Sequence, residues 1–115
     1  MLKKEERLKE KYLFNLAFKK KQKLSTPLIH LYYLFNKKDI NRLNAFIVST
    51  KIDKKASVRN LIKRRMKAAY NLIKNMLTQD KSYVLIWIAG QDAKNATFEQ
   101  IKTAMKTILS KLVKI

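Results

Sequence analysis

The 115 residues are 47% hydrophobic, enough apolar surface for one compact domain spanning residues 1–115, which excludes wholesale disorder. Lys and Arg number 27 against 8 Asp and Glu, a net charge of +19 that repels itself unless a polyanion relieves it, so nucleic acid is the first partner to expect. The lack of cysteine excludes disulfides and thiolate metal sites, and the apolar runs PLIHLYYLF and YVLIWIA are too short to span a bilayer. MLKKEERLKEK is followed by no long apolar stretch, so neither a secretory signal nor a membrane partner is expected, and a cytoplasmic location fits.

From about Glu5 to Lys20 the spacing predicts a helix. Leu8, Tyr12, Leu13, Leu16 and Ala17 make its apolar face, with Phe14 and Phe18 four apart along the edge. Pro27 closes the basic stretch that follows. Leu28–Phe35 reads as a strand with faces Leu28/His30/Tyr32/Leu34 and Ile29/Leu31/Tyr33/Phe35. The short polar link NKKDINR suggests antiparallel pairing with a second strand, Leu43–Thr50.

After the basic loop Lys51–Ala56, Ser57 fits an N-cap, and Val58 to about Leu77 reads as a long helix. At 100° steps Val58, Leu61, Ile62, Ala68, Ala69, Leu72, Ile73 and Met76 fall on one side. Arg59, Asn60, Lys63, Arg64, Lys67, Asn71, Lys74 and Asn75 fall on the other. Arg65 lands within the apolar arc, which requires it to snorkel past the sheet edge or the helix to be rotated. Ser82–Ala89 is apolar on both faces and should be a central strand. GQDAKNA is a loop, and Thr97 with Gln100 forms a capping box for a last helix packed through Phe98, Ile101, Met105, Ile108, Leu109 and Leu112. The order α-β-β-α-β-α implies an α/β (α+β) sandwich, a small mixed sheet packed with helices. Its strand–helix–strand unit from Leu43 to Ala89 implies a parallel pair, and a short extra strand would escape this reading.

No residues form a catalytic constellation. The single histidine, His30, sits in a strand. The acids are scattered except Glu5, Glu6 and Glu10, which suit a helix N-terminus. One glycine cannot make a phosphate loop, and no metal-ligand spacing occurs, so no metal or cofactor is expected on the protein itself. The specific signal is the basic helix. Lys51 to Lys67 holds eight basic residues and one acid, Asp53, whereas a merely solvated helix face mixes the two signs. Arg59, Lys63 and Lys67 are four apart, with Asn60 and Arg64 alongside; Arg forks suit phosphates and Asn suits sugar or base edges. Phe14, Phe18 and Tyr32 suit a platform for unpaired bases, and equally a core.

ASVRNLIKRRMK (Ala56–Lys67) resembles the signature of the bacterial ribonuclease P protein subunit: an Arg-Asn pair, Lys-Arg after two residues, and a basic residue three further on, here Arg59, Asn60, Lys63, Arg64 and Lys67. FNLAFKK, the Tyr-bearing strand, VSTK and the final strand and helix extend the resemblance over nearly the whole chain. It implies an α/β sandwich with a left-handed β-α-β crossover and a role as monomeric subunit of a ribonucleoprotein endoribonuclease. The active site and its Mg2+ would lie in the RNA. The protein would bind that catalytic RNA and the 5′ leader of precursor tRNA. It further implies that Arg59, Asn60, Lys63, Arg64 and Lys67, with Lys54 and Lys55 in the preceding loop, contact the catalytic RNA. Phe14, Phe18 and Tyr32 would line the leader cleft, with Lys51 near its mouth. The chain departs from the family pattern at Leu61 (usually Arg), Ala68 (often acidic) and Lys54-Lys55 (usually Gly-Asn), where a required positive φ would cost energy. The alternative is a general RNA-binding or ribosomal protein, sharing the basic helix but not a preference for the leader.

Overall fold

The computed structural model describes residue 8 and residues 11–36, 42–78 and 82–115. Its elements are α1 (Lys11–Lys20), β1 (Lys23–Ser25), β2 (Ile29–Asn36), β3 (Arg42–Ile47), α2 (Ala56–Ile73), β4 (Ser82–Ala89) and α3 (Phe98–Leu112). Single 3-10 turns follow α2 (Lys74–Met76) and β4 (Gln91–Asn95), the second where the sequence suggested only a loop. The mixed sheet runs β1-β2-β4-β3, antiparallel at β1/β2 and β2/β4 and parallel at β3/β4.

β4 takes the centre because both its faces are apolar; all its residues but Ile88 are buried. This placement corrects the expected pairing of β2 with β3: β4 lies between them, and they do not touch as neighbours. Link length could not distinguish the two arrangements. Five residues, 37–41, reach up to about 17 Å, while two strand spacings are only about 10 Å. The parallel β3–β4 pair and the central place of β4 agree with the sequence reading. The strand β1, three residues long, is an addition to the expected order.

Alternation divides the strands between two apolar layers. Ile29, Leu31 and Tyr33 of β2 and Tyr83, Leu85, Trp87 and Ala89 of β4 face α2 and α3 in the larger one. Leu34, Val84 and Ile86 face Ala17 of α1 in the smaller one, with Tyr32, Leu43, Ala45, Ile47 and Ile88 only partly covered. Trp87 is fully buried, and its indole N–H donates to Asn44 Oδ1 at 3.1 Å, which satisfies two buried polar groups at once. Arg42 ties β3 to the end of α2: its guanidinium donates to the carbonyls of Lys74, Leu77 and Thr78 at 3.3–3.5 Å.

Helix α2 ends at Ile73, where the 3-10 turn takes over, short of the expected Leu77, and two helix starts also moved. Leu8 is not helical; its N–H donates to Asn44 O at 2.8 Å, alongside β3, so α1 does not run unbroken from Glu5. Glu5, Glu6 and Glu10 lie outside the described residues, as do Asp39 and Asp80. Helix α2 begins at Ala56 with Lys55 as its N-cap, so Ser57 lies inside the first turn. Asp53 explains the shift, because its Oδ1 accepts the Lys55 N–H at 2.8 Å and sets the cap two residues earlier than expected. At α3 the capping box forms as expected: Thr97 Oγ1 accepts from Gln100 N–H and Gln100 Oε1 from Thr97 N–H.

Candidate nucleic-acid interface

The interface begins with the rotation of α2. Its buried residues are Ile62, Met66, Ala69, Tyr70 and Ile73, because Tyr70 packs between Phe46 and Trp87 with ring centroids 6.2 and 6.3 Å away. The helix is therefore turned from the predicted arc toward Met66 and Tyr70. Leu61 and Leu72 are left 43% and 64% exposed, and Ala68 is exposed as well. Arg64 lies opposite the buried stripe, with Asn60 exposed beside it and Lys63 and Lys67 half-buried on the shoulder. Arg65 needs no place in the core; its Nη1 donates to Ala96 O at 3.1 Å and joins α2 to the segment before α3.

Arg59 is turned inward. Its Nη1 donates to Asp53 O at 3.0 Å and Lys54 O at 2.8 Å, so this guanidinium holds the loop that carries Lys51, Lys54 and Lys55. Asp53 secures the same loop from the other side through Lys94 Nζ at 2.9 Å. The Lys94 ammonium, and then the Lys55 N–H, hold the Asp53 carboxyl below its ordinary pKa. The exposed Lys51, Lys54 and Lys55 thus stand on a braced loop at the start of the basic helix.

The aromatic residues gather on the other face of the sheet. Phe18 meets the Tyr32 ring edge-on at 4.9 Å, Phe14 packs into the same layer, and Lys23 Nζ lies 5.6 Å from the Tyr32 ring centroid. Phe18 is 37% exposed and Phe14 and Tyr32 half-buried, so all three both pack and present surface. The ten-residue α1 leaves Ile47, Ile88, Ala45 and Leu43 partly uncovered, and these form an apolar floor beside the aromatic rings. The basic and aromatic sets are not one cluster. The sheet separates them, and loop 51–55 turns the chain from β3 to α2 around its edge.

Two neighbours of the cleft escaped the sequence reading. Lys23 comes beside Tyr32 through the register Lys23↔Tyr32, which depends on a strand too short to recognise. His30 shares the face of Tyr32, as the alternation along β2 already indicated, but alone it carried no signal. An apolar groove of about 460 Å³ lies elsewhere, between Thr26–Leu28 and the start of α3; Glu99 lines it and no cation does, which does not suit a polyanion. Among the described residues no helix is long and apolar enough to cross a membrane, and no three His, Cys, Asp or Glu are grouped to hold a metal.

The sequence model of the ribonuclease P family matches residues 2–113. The chain belongs to the ribonuclease P protein family. It is 30% identical over 105 residues to the ribonuclease P protein component of Clostridium kluyveri, covering 91% of this chain and 92% of that one. It is 32% identical over 110 residues to that of Clostridium botulinum strain Langeland, covering 94% and 95%. The RNase P protein structure of Staphylococcus aureus superposes with a TM-score of 0.80 at 26% identity, over 93% of this chain and 94% of that one. That of Thermotoga maritima, at 23% identity over 96% and 97%, shares the fold with a TM-score of 0.72. At Lys54-Lys55, where the resemblance implies a glycine and a positive φ, the loop needs no left-handed residue: among the described residues only Lys21, after α1, has positive φ. Asp53 and Arg59 brace the loop instead.

Proposed function

We infer that the chain is the protein subunit of a ribonuclease P ribonucleoprotein that removes the 5′ leader of precursor tRNA by hydrolysis of one phosphodiester bond. The observation that carries the reading is the acid-poor face of α2, with Arg64 at its crest, in a chain of this family. Lys63, Arg64 and Lys67, with Lys51, Lys54 and Lys55 on the loop, neutralise phosphates of the catalytic RNA and release its counterions, and Asn60 beside them hydrogen-bonds sugar or base edges. Arg59 acts with them by fixing the loop that carries Lys51, Lys54 and Lys55. Phe14, Phe18 and Tyr32 hold the single-stranded leader by stacking over the apolar floor. The protein supplies positioning and charge; Mg2+ held by the RNA supplies the chemistry.

The experiment is binding of ribonuclease P RNA by Lys63→Ala, Arg64→Ala and Lys67→Ala across a salt series. Each loss of a phosphate contact lowers the slope of log K against log salt by about 0.7–1. Unchanged slopes in all three variants would contradict the assignment of this helix to RNA. Phe18→Ala separates the reading from general RNA binding: affinity for precursor tRNA falls while affinity for ribonuclease P RNA stays.

A further inference from the structure

His30 occupies a place that neither the core nor the aromatic stack explains. Strand alternation puts its side chain on the face of Tyr32, two residues and about 7 Å further along β2. The strand registers form a row across the sheet, Ser25–His30–Ile88–Ile47. His30, Ile88 and Ile47 are all only partly buried, so this row continues the open floor of the cleft past Tyr32. Ser25 Oγ lies 3.0 Å from His30 Nδ1. When that hydroxyl donates to Nδ1, the proton of the neutral ring sits on Nε2. Among the described residues Nε2 has no partner. Partial burial, and then the Lys23 ammonium, hold the imidazole below its ordinary pKa, which favours this neutral form near pH 7. The groups facing the ring from the neighbouring strands are Ser25 and Lys23 of β1, Ile88 of β4 and Ile47 of β3, with no acid among them.

We propose that His30 is a further leader-contacting residue, whose Nε2 donates a hydrogen bond to an acceptor on the nucleotide next to the one stacked at Tyr32. This rests on the leader-cleft reading of Phe18 and Tyr32. Two residues of extended strand advance the floor by roughly one step of an extended single strand, and Lys23 beside both rings favours an electronegative acceptor such as a phosphate or base carbonyl oxygen. The imidazole is a hydrogen-bonding point on an otherwise apolar row. It adds a positioned polar contact to a surface that would otherwise hold the leader by stacking alone.

The test measures affinity of the reconstituted holoenzyme for precursor tRNAs whose leaders are shortened one nucleotide at a time. His30→Phe keeps a flat ring and removes the donor; His30→Gln keeps a donor on a side chain of similar reach. With leaders long enough to pass Tyr32, His30→Phe weakens binding about five-fold and His30→Gln by no more than about two-fold. With leaders cut short of that point, all three proteins bind alike. Phe18→Ala is run beside them. If it loses leader-dependent affinity while His30→Phe matches the parent protein, the His30 contact is overturned and the cleft stands. If neither variant affects leader-dependent binding, the cleft reading fails and the His30 contact with it.

Discussion

At the scale of single residues, several side chains are fixed by one close approach or one hydrogen bond rather than by their type. Gly90 is the clearest case. Its N–H donates to Leu28 O at 2.7 Å, and a Cβ at this position would meet Pro27 O at 2.6 Å and Leu28 O at 3.1 Å. The backbone here has an ordinary negative φ, so the requirement for glycine is one of space and not of dihedral freedom. Gly90→Ala is therefore expected to lower the unfolding free energy by about 1–3 kcal/mol, since backbone must move to admit the methyl group. Urea unfolding checks this, and an unchanged midpoint would show that the turn relaxes without cost. Asp53 is similar in kind: a lone acid in a basic loop reads as a stray charge in the sequence, yet its carboxylate sets the start of α2 and anchors Lys94.

At the scale of elements, α2 shows what periodicity reveals and what it leaves out. Its existence, its amphipathic character and the side carrying Arg and Lys follow from spacing alone. Its exact rotation does not, because hydropathy ranks Leu61 and Leu72 above Tyr70, whereas packing against Phe46 and Trp87 favours the large aromatic ring. That rotation brings Arg64 to the crest and sends Arg59 back to the loop carbonyls, so five residues of one motif have different surroundings. The strand faces of β2 were legible because alternation has a fixed period of two. β1 was not, since three residues carry too little pattern. Arg42 was also invisible as a structural residue, because its partners are carbonyls more than thirty residues away. Arg42→Met keeps most of the apolar stem and removes the donors to three carbonyls at the end of α2. We expect it to cost about 2 kcal/mol of stability, read by thermal or urea unfolding. A loss below about 0.5 kcal/mol would mean that water replaces the guanidinium freely.

At the scale of the whole molecule, the unequal covering of the two sheet faces connects fold to function. α2 and α3 close one face around Trp87, Tyr70 and Met105. The short α1 covers only part of the other, leaving aromatic and aliphatic side chains at a surface that Lys23 and His30 border. A protein of net charge +19 with one braced basic face and one half-open aromatic face suits an RNA assembly in which one strand is held by phosphates and another by its bases. The separation of these two surfaces by the sheet could not be read from the sequence, because it depends on α1 and α2 packing on opposite faces of the sheet. The resemblance in Ala56–Lys67 indicated the family without requiring that topology.

The central claim, that the protein assists an RNA-borne catalyst, is tested most directly by precursor-tRNA cleavage at low magnesium. The reaction is run with ribonuclease P RNA from the same organism alone, with the protein alone, and with both. The account predicts no cleavage by the protein alone, weak or no cleavage by the RNA alone, and strong cleavage by the mixture. Equal cleavage by the RNA with and without folded protein, or cleavage by the protein alone, would contradict it.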